Sequence, residues 1–234
     1  ARRWVGVGRD DPRSVAMQIP VAVPVPAQAV PTDGDLMAFL APGLVHALGN
    51  HLFAIQGSAH VLKEGKAGLR ERGTILEASN RAQQALDILR LLATPDEDPA
   101  PVEQPGVLLT QLAPLCAVPL RERGLRHHLD FASPRSRPRG VPARRFIRAY
   151  LGLLQRVSEG LPPFVHGTLI TEFRHQDQGS VTFELAVEFA AHCLPFPVDV
   201  DGIVAHCNEG HAHDGVHAAP IDARRIRVRV ATAV

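Results

Sequence analysis

The chain has 234 residues and a formal net charge of +1, and it is long enough for one or two domains with a buried core. A net charge so close to zero does not indicate the basic face that nucleic-acid binding needs, so we expect no nucleic-acid partner. The three cysteines form no CxxC pair, which argues against a disulfide framework and predicts a reducing, cytoplasmic location. Prolines interrupt the apolar run at 21–31, and no secretory signal is recognisable. We therefore expect no membrane-spanning segment and no membrane partner.

The N-terminal part of the chain has the pattern of a helical hairpin. Residues 1–33 are rich in proline and have no sustained period, which predicts an extended tail. Asp33 or Asp35 can cap a helix that runs to about Glu64, where the sequence GKAG breaks the pattern. A second helix is predicted over residues 69–93.

Both helices of this hairpin domain, residues 34–95, carry an apolar stripe. Two amphipathic helices cannot bury both stripes by themselves, so we expect two copies to pair into a four-helix bundle as a homodimer. The alternative is that the hairpin packs on the C-terminal domain of its own chain. The stripe residues are Ala41, Leu48, Ile55 and Leu62 on the first helix and Ile75, Ala78, Ala82, Ala85, Leu89 and Leu92 on the second.

The C-terminal part of the chain has a different pattern. Residues 96–104 are a linker by composition, and apolar alternation beyond them predicts two strands around the turn QDQG. Helices followed by mostly antiparallel strands indicate an α+β fold, with an α/β sandwich over residues 105–234. The predicted elements are helices over 107–123 and 143–159 and strands over 127–131, 168–175, 180–189 and 224–234.

One side of the first helix carries aromatic residues and histidines away from the apolar stripe. Four residues spaced by seven share this side: Phe39, His46, Phe53 and His60. Gly43 and Gly49 flank His46 by about one turn, and Asn50 follows it at i+4. Each glycine costs a helix about 1 kcal/mol relative to alanine, so two of them beside one histidine predict that another protein's backbone approaches closely.

The chemistry of this side indicates that His46 is a nucleophile. A neutral imidazole can take a phosphoryl group and pass it reversibly to a carboxylate. An exposed Phe53 would supply apolar docking area beside the ring for the protein that exchanges the phosphate. The alternative interpretation is that the four residues form a core face against the C-terminal domain.

The histidines show no spacing typical of a metal site. His46 and His51 diverge around the helix, and His46 and His60 lie about 21 Å apart at about 1.5 Å per residue. The stretch AHCNEGHAHDGVH, residues 205–217, contains metal-capable side chains but fits no standard zinc pattern. We interpret it as a polar, turn-rich loop and expect no metal.

Residues 46–62, HALGNHLFAIQGSAHVL, resemble the H-box helix of sensor histidine kinases, whose usual pattern is H-E-x-x-N-P-L-x-x-I-x-G. The matching residues are His46, Asn50, Leu52, Ile55 and Gly57. The resemblance covers residues 34–234. It implies a dimeric hairpin with His46 as phosphoacceptor, Asn50 positioning water or phosphate, and an ATP-binding sandwich after the hairpin.

The departures from this pattern concern the reaction with ATP. Ala47 replaces the acidic residue of the family, and His51 replaces its proline. In the sandwich, Gly152 and Arg156 stand where the family has two asparagines that hold Mg-ATP, and Glu188 precedes a region without the expected glycines. Because metal-binding asparagine and close backbone approach are both lost, we expect a degenerate ATP site and no cofactor.

The sequence therefore resembles the dimeric histidine phosphotransferases of phosphorelays. We expect phosphate exchange between His46 and the aspartate of a response-regulator receiver domain, without autophosphorylation by ATP. Arg70, Arg72 and Arg81 on the second helix are candidates to hold this acidic partner. Two alternatives remain open: a non-catalytic adaptor that binds a receiver or another kinase, and an active kinase with a diverged nucleotide site.

Overall fold

The described part of the computed structural model contains two helices followed by a mixed α/β sandwich. It comprises residues 31–63, 68–93, 102–131, 140–161, 166–175, 180–189, 199–211 and 216–231. The predicted tail up to residue 30 and residues 96–101 of the predicted linker lie outside it. The elements are α1 (Asp33–Lys63), α2 (Leu69–Ala93), β1 (Val102–Glu103), α3 (Pro105–Glu122), β2 (Leu125–Phe131), β3 (Val141–Pro142), α4 (Ala143–Gly160), β4 (Gly167–His175), β5 (Ser180–Phe189), α5 (Val200–His211), β6 (Val216–Asp222) and β7 (Arg225–Ala231).

Helix α1 begins with a capping box that differs from the predicted cap. The Asp35 backbone N–H donates to Thr32 Oγ1 (3.2 Å), and the Thr32 backbone N–H donates to Asp35 Oδ2 (2.8 Å). Thr32 is therefore the cap and Asp35 its reciprocal partner. The prediction that Asp33 or Asp35 occupies the cap position was wrong by one to three residues. Asp33 instead forms ion pairs with α4.

The five-stranded sheet has the order β2-β4-β5-β7-β6. Strands β2 and β4 are parallel because α4 lies between them in the chain, and the other pairs are antiparallel. Gly124 makes the turn from α3 into β2 with a φ of 78°, a conformation that favours glycine. The predicted α+β fold, with a helical hairpin followed by a mostly antiparallel sandwich, is confirmed.

One prediction about the C-terminal part was wrong. The stretch interpreted as a turn-rich loop contains most of helix α5 and the start of strand β6. Ile203, Val204 and Cys207 of α5 are buried. The Asn208 side chain also joins the two elements, because its amide donates to the Ala218 carbonyl and accepts from the Ala218 N–H.

The base of the helical hairpin belongs to the same hydrophobic core as the sandwich. Leu36 and Leu40 of α1 and Ile88 and Leu92 of α2 are buried in one cluster with α3 and α4. Asp33 also accepts from Arg144 (Oδ2–Nη2, 2.8 Å) and lies 3.0 Å from Arg148 (Oδ1–Nε). The hairpin thus packs on its own C-terminal domain at its base.

Farther along, α1 exposes an apolar seam. The seam follows steps of four and three, the spacing of a coiled coil. Val45 and Leu52 are 72% and 57% exposed. The other seam residues are Ala41 and Ala59, which are exposed, and Leu48, Ile55 and Leu62, which are half-buried. On α2, Ala78, Ala85 and Leu92 of the predicted stripe are instead buried within the chain.

By length and composition alone, α1 could cross a bilayer, and little of its apolar stretch is buried among the described residues. The expectation of no membrane-spanning segment rested on the prolines that interrupt the run at 21–31, and it does not hold for α1 by length and composition. A core helix of a soluble protein passes the same test. The buried base of α1 and its coiled-coil spacing favour packing against another helix.

Candidate functional site

His46 lies in the middle of α1, with its imidazole exposed. The one side-chain hydrogen bond to it among the described residues comes from Asn50, whose Nδ2 is 3.1 Å from His46 Nε2. The i, i+4 spacing places both groups on the same side of the helix. The structure therefore brings together the two residues that were predicted to be catalytic.

The four residues spaced by seven, which include His46, are divided between core and solvent. Phe39 is half-buried against the core of the sandwich, whereas Phe53 is 79% exposed. His60 is also exposed. The alternative of a core face is therefore correct for Phe39 only. Beyond it, these residues offer an exposed imidazole and an exposed phenyl ring to a second molecule.

The two glycines beside His46 have different surroundings. Gly43 is buried, and a Cβ built on it would lie 1.8 Å from the Leu115 carbonyl oxygen of α3. The prediction that Gly43 binds a partner was wrong, because the backbone that approaches it belongs to its own chain. A Cβ built on Gly49 meets nothing within 4 Å. Gly49 is therefore an open position beside His46, and its role in partner binding stays a prediction.

The three arginines predicted to bind the partner, Arg70, Arg72 and Arg81, are exposed on α2. Arg81 forms an ion pair with Glu77 one turn earlier on the same helix. Such exposed pairs contribute little to stability, so the guanidinium can exchange partners at little cost.

A cleft of about 340 Å³, which the sequence did not predict, lies between α1, α2 and α3. His51 and Ala47 line it from α1, and Arg81 from α2. The remaining lining residues are Gln84, Ala85, Thr110, Gln111, Pro114 and Leu115. His51 therefore faces the junction of hairpin and sandwich. The sequence pattern could not predict this cleft, because the cleft depends on how α3 crosses the hairpin.

The part of the sandwich in which the sequence predicted a degenerate ATP site is closely packed around α4. Gly152 and Arg156 of α4 are buried, and Ile203 and Cys207 of α5 pack beside them. The cavity that these residues line has a volume of about 10 Å³. Ligand sites for small molecules usually measure roughly 300–1,000 Å³.

A buried polar cluster lies between α4 and the sheet. Tyr150 Oη is 2.7 Å from His127 Nε2 and 2.8 Å from Thr171 Oγ1. Burial, with a further contribution from His128, lowers the pKa of His127 to about 4. Burial also raises the pKa of Tyr150 well above its usual value. Both groups are therefore neutral near pH 7, and their interaction is structural.

The cysteines and the histidine-rich stretch show no metal centre in the described residues. Cys116 and Cys207 are buried free thiols whose pKa values burial raises to about 12 and about 11. No group of three potential metal ligands occurs within the parts of the chain that the structure describes. The side chains of His206, His211 and His213 lie outside those parts.

Among the solved structures similar to this chain are two histidine kinases and a bacterial phosphotransferase. The Acinetobacter baumannii histidine kinase AdeS is 14% identical, with a TM-score of 0.41, and covers 81% of this chain and 98% of its own. A bacterial phosphotransferase is 15% identical, with a TM-score of 0.35 and coverages of 83% and 95%. The mycobacterial sensor histidine kinase MprB is 13% identical, with a TM-score of 0.37 and coverages of 56% and 97%.

At these identities and TM-scores the likeness concerns the order of the elements, and no argument about activity follows from it. No protein-family model and no curated protein matches the sequence.

Proposed function

We propose that the protein is a histidine phosphotransfer protein that exchanges a phosphoryl group between His46 and the aspartate of a receiver domain. The observation that carries this proposal is the exposed imidazole of His46, whose Nε2 lies 3.1 Å from Asn50 Nδ2. Phe53 lies one heptad farther on the same side and is 79% exposed. An exposed aromatic ring beside the nucleophile is the type of anchor that protein interfaces use.

The proposal includes the absence of autophosphorylation by ATP. Its support is the packing of α5 against α4, where Arg156 is 5% exposed and the neighbouring cavity measures about 10 Å³. A nucleotide would need far more space and a metal-binding side chain near its phosphates. Under this proposal the phosphoryl group comes from another protein.

The proposal also includes a homodimer. The supporting observation is the seam on α1, where Val45 and Leu52 expose apolar surface at coiled-coil spacing. A second copy of the hairpin would cover this seam in a four-helix bundle. The side of α1 that carries His46 lies outside the seam and would remain accessible.

The test is phosphate uptake from two donors by the full chain and by His46→Gln. We expect label from a phosphorylated receiver to appear on the wild-type protein in acid-labile form, and no label from radioactive Mg-ATP. His46→Gln should lose uptake while stability changes by less than about 0.5 kcal/mol, because the side chain is exposed.

The other outcomes assign the protein differently. Labelling by Mg-ATP would identify an active kinase. Receiver binding without any labelling, unchanged in His46→Gln, would identify an adaptor.

A further inference from the structure

The hydrogen bond between Asn50 and His46 fixes where the imidazole carries its proton. The atoms that meet are Asn50 Nδ2 and His46 Nε2, at 3.1 Å. An amide nitrogen can only donate, so Nε2 must accept through its lone pair. A neutral imidazole with an unprotonated Nε2 carries its hydrogen on Nδ1.

We propose that Asn50 is a positioning residue that selects the Nδ1–H tautomer of His46 and so presents Nε2 as the nucleophilic nitrogen. This inference rests on the proposed phosphotransfer function. The residue after the histidine, Ala47, has no side-chain acceptor that could hold the Nδ1 hydrogen. Selection of the tautomer therefore falls to the amide one turn farther along α1.

The tautomer determines which groups must move during transfer. The Asn50 amide must first move off Nε2, because its hydrogen bond occupies the lone pair. The freed lone pair then forms the N–P bond while the bond between phosphorus and the receiver's aspartyl oxygen breaks, and the electron pair of that bond leaves with the carboxylate. The Nδ1 hydrogen stays in place, so the ring becomes a phosphorylated imidazolium. No proton has to be removed during this step, and a general base beside His46 is therefore unnecessary.

After transfer, Nε2 no longer accepts a hydrogen bond. The Asn50 amide, which starts at that nitrogen, can then donate to an oxygen of the attached phosphoryl group. The same side chain thus favours the nucleophilic form before transfer and the phosphorylated form after it.

The decisive measurement is nitrogen NMR of the full chain labelled in its imidazole rings, before any phosphate donor is added. We expect the wild-type His46 to show an unprotonated Nε2 and a protonated Nδ1. In Asn50→Ala, the ratio of the two tautomers should shift towards Nε2–H by about fivefold. This shift equals about 1 kcal/mol, the usual net value of one hydrogen bond.

Asn50→Asp separates hydrogen bonding from shape. The carboxylate has nearly the shape of the amide but can only accept, so it should hold the opposite tautomer, with Nε2–H donating to it. Gln56→Ala is the matched control, because Gln56 is an exposed amide on the same helix, about 15 Å from position 46 at about 1.5 Å per residue. Its spectrum should equal that of the wild type.

A protonated Nε2 in the wild type, or an unchanged tautomer in Asn50→Ala and Asn50→Asp, would overturn the inference. Phosphate uptake from a phosphorylated receiver is the second readout. It should slow by about fivefold in Asn50→Ala and by more in Asn50→Asp, but not in Gln56→Ala. Equal uptake rates in all three would show that the tautomer has no role in transfer. Correct tautomers without any uptake in the wild type would contradict the proposed function and leave the tautomer assignment standing.

Discussion

The substitutions Gly43→Ala and Gly49→Ala should have opposite effects on stability, although they lie six residues apart on one helix. At Gly43, the new Cβ would lie 1.8 Å from the Leu115 carbonyl oxygen, 2.7 Å from its carbonyl carbon and 3.0 Å from its Cα. All three are backbone atoms of α3, so no side chain can rotate to relieve the contact. At Gly49, the new Cβ meets nothing within 4 Å.

The expected magnitudes follow from these contacts. Forcing α1 and α3 apart in a packed core typically costs about 1–3 kcal/mol, and the gain in helix propensity offsets about 1 kcal/mol of that. We therefore expect Gly43→Ala to lower the free energy of unfolding by up to about 2 kcal/mol. Gly49→Ala has only the propensity gain and should raise it by about 1 kcal/mol.

Urea denaturation followed by circular dichroism measures both values, and the difference between the two midpoints is the sharpest quantity, since each variant controls for the other. Equal stabilisation by both alanines would mean that α1 does not pack closely on α3 at Gly43. The inference that the base of the hairpin is anchored on the sandwich would then be wrong. Gly49→Leu extends the test to function: it should keep the fold but weaken receiver binding, because it fills the open position beside His46.

Two further predictions concern the buried histidine and the exposed seam. The folded-state pKa of His127, about 4, lies below its unfolded value of 6.5, so the unfolded state binds more protons. The contribution of His127 to stability is therefore complete above about pH 6.5 and declines towards pH 4, by about 3 kcal/mol in total at about 1.36 kcal/mol per unit. His127→Phe should reduce this loss in urea denaturation between pH 7 and pH 4.5, and a wild-type slope in the variant would contradict the assignment. For the seam, Leu52→Glu should halve the mass measured by light scattering without unfolding the chain, whereas Gln56→Glu, also exposed on α1, should not. A dimer that survives Leu52→Glu, or a wild-type chain that partitions into lipid vesicles through α1, would show that a second copy does not cover this face.

The sequence predicted the elements whose apolar period is long and uninterrupted. Helix α2 was predicted with its observed bounds, and α4 within one residue of its end. Helix α5 was missed, although Val200, Ile203, Val204 and Cys207 have the i, i+3, i+4, i+7 spacing of a buried helical face. His206 lies among these residues and three more histidines follow them, at 211, 213 and 217, so the composition favoured a polar loop.

The site could be predicted only in part, because spacing along a helix determines neighbours on that helix but not across the fold. The pairing of His46 with Asn50 follows from the i, i+4 geometry of α1. The sequence could also indicate that a backbone approaches Gly43, but not that this backbone belongs to α3 of the same chain. The same limit explains Ala85. Its spacing placed it in the dimer seam, whereas packing buries it within the chain, so a charge there would test the fold and not the dimer.

The anchored base of α1 also bears on where the phosphoryl group comes from. A kinase that phosphorylates its own histidine needs its nucleotide domain to bring ATP to that residue. Here Asp33 pairs with Arg144, whose side chain is 8% exposed, and with Arg148. Breaking these partly buried pairs would leave the Arg144 guanidinium without the Asp33 carboxylate in the core, in addition to the loss of the contact at Gly43. His46 follows Gly43 by three residues, about 4.5 Å along the axis, so it stands directly beyond the anchored segment. Movement of the sandwich towards His46 would have to break this anchor, whereas a separate protein can approach the exposed side of α1 without disturbing it. The proposed external phosphate donor is therefore compatible with the packing that positions His46.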